Sequence, residues 1–401
     1  MIERSAAPVR PGTMLVLMTE REERSMKVIV AGAGIGGLCL AQGLVRAGID
    51  VRVYEREPAA DSRYQGFRIA LNEHGLGALR ACLPPRLYRL LDAVTGPLAG
   101  RPRVVDQHLT ELRRLDPTDG GAAADRRVLR EILLAGLGDR VEFARAVTGY
   151  AELPDGTVEV HLSDGAGTVA DLLVGADGVG SAVRRRLLPD ARVVDVPGNS
   201  LLGRTPLTER FAALVPDFGT LVQGPGLTML LGRMEFRRPP RLAAAELAPE
   251  VELPDTDSYL RWVVTLPGQP TGPGADWATV RDRLLPLLDG WHPDLVELVR
   301  RSDVVNSAPL TLRYTEPVPH WGTGPVTLLG DAIHTMPPSA GQGANTALRD
   351  AALLCRTLTA AHRSGTGLRE AVEAYEREML AYGFAAVAES LERLPDFTPS
   401  R

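Results

Sequence analysis

Cysteine is scarce in this chain: three residues in 401, Cys39, Cys82 and Cys355, lie far apart along the sequence. That spacing excludes a disulfide framework and paired zinc ligands, and it fits a reducing cytoplasm. An excess of positive charge is also missing. The formal net charge is −5 and the pI about 5.9, so no basic stripe marks a nucleic-acid surface. H-E-x-x-H, Walker A and G-x-S-x-G patterns are absent, which removes zincin, P-loop and hydrolase-elbow readings. The carboxylates are too scattered for a glycosidase pair. One long uncharged run exists, residues 28–45, but its five glycines and Gln42 argue against a membrane span. The apolar stretch 14–18 is too short for a signal-peptide core, so no export is expected. Residues 1–25, with Pro8, Pro11 and mixed charge, are expected to be a disordered extension.

What is present is a chain long and apolar enough, at 44% hydrophobic, for one large or two intimately joined domains. From Lys27 the pattern becomes a buried strand, a glycine cluster, an apolar helix ending near Gly48 and a second strand at 51–54. This is a βαβ unit, in which a helix covers two parallel strands. Further on, a helix is expected at 127–137. Strands are expected at 141–143, 158–162 and 172–174, with Asp155-Gly156 and Asp164-Gly165 as turns. The alternation at 227–231 and 259–265, with a helical run at 277–288, reads as an antiparallel sheet with helices. A loop is expected at 266–275, a short strand at 326–329, and helices through 347–361 and 368–394. No internal repeat is visible.

Gly32-Ala33-Gly34-Ile35-Gly36-Gly37 fits G-x-G-x-x-G between a strand and a helix. Glycine there allows a tight turn, lets backbone approach a pyrophosphate and brings the helix close to the strand, so that N–H groups point at the anion. Glu55 closes the second strand about 20 residues later, where a carboxylate accepts hydrogen bonds from a ribose. Its charge disfavours a 2′-phosphate, so the tightly held nucleotide is FAD or NAD rather than NADP. Arg56 is a further candidate contact. This motif by itself does not separate the two nucleotides.

Two later segments do. They are Asp171 through Arg184, containing Gly175-Ala176-Asp177-Gly178, and Leu328 through Pro338, containing Gly330-Asp331-Ala332-Ile333-His334. Together with the glycine cradle they resemble the three fingerprints of the class A flavoprotein monooxygenases. This para-hydroxybenzoate hydroxylase-like family includes tetracycline-hydroxylase-like enzymes and carotenoid epoxidases. Gly341-Gln342-Gly343-Ala344-Asn345, Asp350-Ala351 and the Arg126-Arg127-Val128-Leu129 helix start extend the likeness over most of the chain. The resemblance implies an α/β fold: a Rossmann-type, glutathione-reductase-like FAD-binding domain (26–70, 122–195, 306–362) interleaved with an antiparallel-sheet substrate domain (71–121, 196–305). A C-terminal helical segment (363–401) completes it. The resemblance assigns Asp177 to flavin and pyridine nucleotide together, Asp331 to the FAD ribityl chain and Arg126 to a cofactor contact. The helix begun by Gly341, Gly343, Ala344 and Asn345 faces the pyrimidine end of the flavin, where its dipole stabilises the reduced anion.

The implied activity is an NADPH- or NADH-dependent monooxygenation. Reduced FAD and O2 form a C4a-hydroperoxide that hydroxylates or epoxidises a small, largely apolar, aromatic or polycyclic compound, as in natural-product tailoring or antibiotic modification. The chemistry is flavin-borne, so no protein nucleophile and no metal are required. Substrate contacts are expected from Gln65 and Arg68, from Met229 on a middle strand and from Pro338. His334 shows no partner in the sequence and is expected to be structural, and Arg184 to Arg186 the exposed face of a helix. The rival readings are an oxidase or dehydrogenase of the same fold, and a flavin-binding redox sensor without turnover. No thioredoxin-like extension follows the last helix, so the resemblance leaves monomer or homodimer open.

Overall fold

The computed structural model describes residues 26–62, 67–196, 199–266, 277–303, 308–365 and 367–394. The expected extension 1–25, Gln65 and all but the first residue of the loop at 266–275 lie outside the described residues.

Strand β1 (Lys27–Ala31) is buried over its last four residues, as a parallel strand covered on both faces requires. Helix α1 (Ile35–Ala47) follows and stops at Gly48, whose φ of 79° suits glycine and whose N–H closes on the Leu44 and Val45 carbonyls. Strand β2 (Asp50–Tyr54) returns parallel to β1. The completed sheet runs Val326–Leu328, Leu172–Gly175, β1, β2, Val141–Glu142, all parallel.

The two Asp-Gly turns close a separate antiparallel meander, Val147–Glu152, Val158–Leu162 and Gly167–Ala170, with Gly156 and Gly165 at φ 84° and 83°. Its outer strands carry no clean alternation of burial, which hid them from a period-two reading.

The second layer is a seven-stranded sheet in the order Ala308–Leu310, Asn199–Pro206, Tyr259–Leu266, Leu227–Met234, Gly219–Gly224, Arg103–Asp106, Glu111–Arg114. Its faces are distinct. Leu227, Met229 and Leu231 pack with Leu260, Trp262 and Val264 against Leu295, Leu298 and Val299 of helix Pro293–Arg300. The alternate residues look the other way: Met234 and Tyr259 meet Phe67 and Ala123, beside strands Arg68–Leu71 and Thr118–Asp125. The sequence places residues 71–121 in the substrate domain. Helices Glu73–Cys82 and Pro85–Val94 place Leu79, Leu87, Leu90 and Leu91 in the core of the parallel sheet, because their apolar stripes face α1 and its neighbours. Helix Leu368–Glu392 joins that core through Val372, Tyr375 and Met379.

The three cysteines, remote in sequence, converge between α1, helix Glu73–Cys82 and helix Gly343–Ser364, with Cys82 within hydrogen-bonding reach of both Cys39 and Cys355. Gly43 makes the room, since a Cβ there would sit 2.5 Å from Cys355 Sγ and 3.1 Å from Cys82 Sγ. Gly43→Ala is expected to destabilise the protein by about 1–3 kcal/mol through overpacking. In urea unfolding, the double variant with Cys355→Ala should recover part of that loss; strict additivity would remove the steric explanation.

Glu376 is fully buried on the last helix, with Thr323 Oγ1 at 3.3 Å and His320 Nε2 at 3.5 Å. Burial pushes its carboxyl up to about 7, against the opposing pull of Thr327, Thr323 and Trp321. A raised acid stabilises the fold while protonated, so its contribution is full below about pH 4.5 and is lost as the pH rises through 7. Glu376→Gln should therefore remove a pH dependence of roughly 2–3 kcal/mol. Denaturation at pH 5 and pH 8 measures it: the variant should gain on the parent at pH 8 and not at pH 5.

Among the described residues no helix is long and apolar enough to cross a membrane, and no cluster of His, Cys, Asp and Glu is arranged to hold a metal.

Candidate flavin and substrate site

The sheet order brings together what the sequence scatters. Asp331, Asp177, Gly32 and Glu55 each follow the end of a parallel strand, and those four strands are neighbours in that order. At about 4.8 Å per strand the four positions line roughly 15 Å of the carboxyl edge, where open α/β sheets bind ligands.

The four cradle glycines have separate reasons to be glycine. Gly32 has a φ of 106°, and a Cβ on it would meet the Ala176 carbonyl oxygen at 2.5 Å. A Cβ on Gly37 would lie 2.2 Å from the Gly32 oxygen, and one on Gly36 would run into Leu329 and Ala347. Gly36 thus serves helix packing. A Cβ on Gly34 would meet nothing within 4 Å, although Gly34 stands at the N-terminus of α1, which has no side-chain cap. Open space before free N–H groups, Ile35's among them, is the shape an anionic ligand fills.

Glu55 is 7% exposed and braces the turn: Oε2 accepts from Ala33 N–H at 2.7 Å and Oε1 from Glu57 N–H at 3.0 Å. Arg130, not singled out in the sequence, donates from Nε to the Ala33 carbonyl at 3.0 Å and from Nη1 to the Ala60 carbonyl, while its buried Nη2 has no partner. Its place one turn beyond Arg126 was the only available signal. Arg56 is exposed and lies near Glu57, away from the turn's interior.

Asp177 uses Oδ2 to accept from Ala182 and Val183 N–H at 2.7 and 3.4 Å; its buried Oδ1 has no partner. Arg184 is a correction. Rather than lying on an exposed face it is 5% exposed, and it donates to the carbonyls of Ala332 at 2.8 Å and Val179 at 2.7 Å, tying the second motif to the third. Arg185 and Arg186 are exposed.

Asp331 is exposed at the strand end yet surrounded by enough protein that burial raises its carboxyl pKa, against the pull of Arg126 and His334. Behind it, His334 Nε2 and Asp350 Oδ2 lie 2.7 Å apart with no solvent access. Asp350 also accepts from Gly330 N–H at 2.7 Å and Tyr382 O–H at 2.7 Å. Burial works against a charged His334, but Asp350 outweighs it and holds the imidazole above its usual value. The sequence assigned His334 no partner because Asp350 lies a full helix segment away.

Helix Gly343–Ser364 also starts without a side-chain cap, with Gly341 turning at φ 65° and Gly343 and Ala344 half-exposed. The Asn345 side chain is committed elsewhere: Oδ1 accepts from Asn72 N–H at 3.0 Å, and Nδ2 donates to the Ala70 carbonyl at 2.8 Å and the Gly341 carbonyl at 3.0 Å. It clamps the helix start to strand Arg68–Leu71, leaving backbone N–H groups to face a ligand. Unpaired Asp177 Oδ1, unpaired Arg130 Nη2, two uncapped helix starts and the space at Gly34 all suit a dinucleotide laid along this edge.

Among the expected substrate contacts, Pro338 is exposed just before Gly341, and Arg68 is half-buried on the side facing the seven-stranded sheet. Met229 is a correction: it is fully buried on the face packed against helix Pro293–Arg300, because period-two alternation sends Thr228 and Leu230 toward Phe67 instead.

Residues 126–390 match the FAD binding domain family, and residues 30–92 match an NAD(P)-binding Rossmann-like domain. The chain is 31% identical over 378 residues to the dual O-methyltransferase/FAD-dependent monooxygenase CTB3 of Cercospora beticola, covering 83% of this chain and 42% of that protein. It therefore spans less than half the length of that relative. It is 28% identical to the aurachin C monooxygenase/isomerase of Stigmatella aurantiaca, covering 83% of this chain and 81% of that protein. A crystal structure from Photorhabdus luminescens subsp. laumondii, assigned as an FAD-containing monooxygenase, superposes with a TM-score of 0.79 at 32% identity, covering 93% of this chain and 99% of the other.

Proposed function

We propose that this chain, which belongs to the class A FAD-dependent monooxygenases, uses NADPH or NADH and O2 to hydroxylate or epoxidise a small aromatic or polycyclic compound. The observation that carries this reading is the alignment of Asp331, Asp177, the glycine cradle and Glu55 on adjacent strand ends, with open space at Gly34. The uncapped start of α1 and the Gly34 space hold the pyrophosphate, Glu55 the ribose, and Asp331 with Arg126 the ribityl side. The N–H groups of Gly343, Ala344 and Asn345 face the pyrimidine ring and stabilise negative charge there. Bound FAD supplies hydride acceptance from the nicotinamide and activation of oxygen. The protein positions the substrate and keeps water away, with Leu230, Val263 and Leu202 forming the apolar side of the pocket on the sheet face that meets Phe67. Natural-product tailoring in a reducing cytoplasm suits the three unoxidised, closely packed thiols.

The test supplies FAD-loaded protein with NADPH or NADH in air and follows nicotinamide oxidation and peroxide release across a panel of phenolic and polycyclic compounds. Accelerated oxidation with less peroxide than nicotinamide consumed, and an oxygenated product, is the expected result. A flavin that neither nicotinamide reduces would end this reading and leave an oxidase or a redox sensor.

A further inference from the structure

Two arginines, one on the seven-stranded sheet and one facing it, are unaccounted for by the cofactor site. Arg68 starts strand Arg68–Leu71 and Arg261 lies in Tyr259–Leu266. A Cβ placed on Gly232 would be 3.1 Å from Arg68 Nη1 and 3.0 Å from Arg261 Nη2, so both guanidiniums reach one point. Among the described residues no carboxylate pairs with either. Nε and Nη2 of Arg68 and Nε of Arg261 are buried without a hydrogen-bond partner. Burial, with Arg261 alongside, brings Arg68 down to about 9, and burial brings Arg261 down to about 10. Both therefore stay cationic at neutral pH.

Neighbouring Arg204 is the contrast: its guanidinium covers the Phe67 and Tyr259 rings and meets Asp303 Oδ2 at 3.2 Å. Gly232 has no positive φ to explain it. A Cβ there would crowd both guanidiniums, which would have to give by a few tenths of an ångström, so glycine leaves them the room they occupy. Their location is also informative. The Phe67 carbonyl accepts from Arg126 N–H at 2.7 Å, and the Ala70 carbonyl accepts from Asn345 Nδ2 at 2.8 Å. Arg68 is thus held between two segments that the proposed FAD site uses.

We infer that Arg68 and Arg261 together bind an anionic oxygen group of the substrate, a carboxylate or an ionised phenol or enol, and so select aromatic anions over neutral aromatics. Two planar guanidinium forks match such a group bidentately, and an incoming anion relieves the repulsion between them. The inference deepens the monooxygenase reading and rests on it for the word substrate, but binding can be measured without turnover.

The probes are 3-hydroxy-2-naphthoate and its neutral amide, titrated calorimetrically into FAD-loaded protein without nicotinamide. The acid is expected to bind at least about tenfold more tightly than the amide. Arg68→Gln and Arg261→Gln should each weaken the acid about tenfold while changing the amide less than about twofold, and Arg→Lys should restore part of the loss. Each Gln variant should also raise the ligand-free Tm by about 2 °C, because it removes one of two unpaired like charges; a purely structural arginine would lower it. Equal affinity for acid and amide, no binding of either probe by the parent, equal weakening of both probes or loss of FAD in the variants would each overturn the inference. Failure of nicotinamide to reduce the flavin is a separate result that strikes only the monooxygenase reading.

Discussion

Gly34→Ala should strip the protein of FAD and leave its fold intact, while Gly37→Ala, three residues away, should damage the fold first. The two positions differ in what a methyl group would meet. At Gly34 it enters space with no protein atom within 4 Å, and at Gly37 it lands 2.2 Å from the Gly32 oxygen and 3.2 Å from Val30 Cγ1. Gly34 has φ −75° and ψ 175°, which alanine adopts freely. The apo stability of Gly34→Ala should therefore stay within about 1 kcal/mol of the parent, the usual cost of alanine against glycine at an N-cap. Its FAD Kd should rise on the order of 100-fold, about 2.7 kcal/mol, because the backbone can no longer approach the pyrophosphate. Gly37→Ala forces α1 away from β1 and should lose roughly 3 kcal/mol before any cofactor is added. Fluorescence titration with FAD and urea unfolding of both apo variants separate the effects. FAD retention by Gly34→Ala at parental affinity would show that the open space is not the cofactor's.

Asp350→Ala should be the most damaging single change away from the cofactor. This carboxylate, with no solvent access, satisfies Gly330 N–H, His334 and Tyr382 O–H at once. Removing it leaves a buried imidazole, the buried Gly330 N–H and the half-buried Tyr382 hydroxyl without that partner, a loss of about 3–5 kcal/mol. Asp350→Asn refines the reading. Because His334 is raised by Asp350, the pair's contribution is full below the ordinary histidine range near pH 6.5 and is lost as the pH rises through the folded-state value. The gap between parent and Asp350→Asn should accordingly be widest near pH 5.5 and narrow toward pH 9 in chemical denaturation. A pH-independent gap would mean that His334 is neutral throughout.

The residues of the proposed cofactor edge stand out in the sequence because their motifs have a local cause. Gly32 and Gly330 are fixed by turns, Gly37 by the close approach of α1 to the Gly32 oxygen, and Asp177 and Asp331 by strand ends, so residue type and spacing carry the information. The substrate side was not legible for the opposite reason. Whether Met229 or Leu230 meets the pocket depends on which face of its strand the helices cover, and alternation is blind to that choice. Arg261 lay in an unremarkable strand and drew no notice, because its significance is the missing carboxylate and the glycine opposite, both properties of packing. Arg184 and Arg130 were hidden alike: a buried guanidinium that caps carbonyls across motifs looks, in one dimension, like a solvated helix charge. What helices Glu73–Cys82 and Pro85–Val94 pack against was hidden likewise, since an amphipathic stripe shows that a helix is covered and not by what.

The line of strand ends also bears on how the protein survives in a cell. The cradle, Glu55, Asp177, Asp331 and the start of helix Gly343–Ser364 come from segments separated by more than three hundred residues, yet one dinucleotide touches them all in the proposed site. A ligand that binds only the assembled edge adds RT ln(1 + [FAD]/Kd) to stability, about 2.7 kcal/mol at a hundredfold excess over Kd. With the proposed site, flavin supply would govern abundance as well as activity: chains made during flavin shortage would spend more time open to proteases, and their level would fall with the cofactor without any change in gene expression.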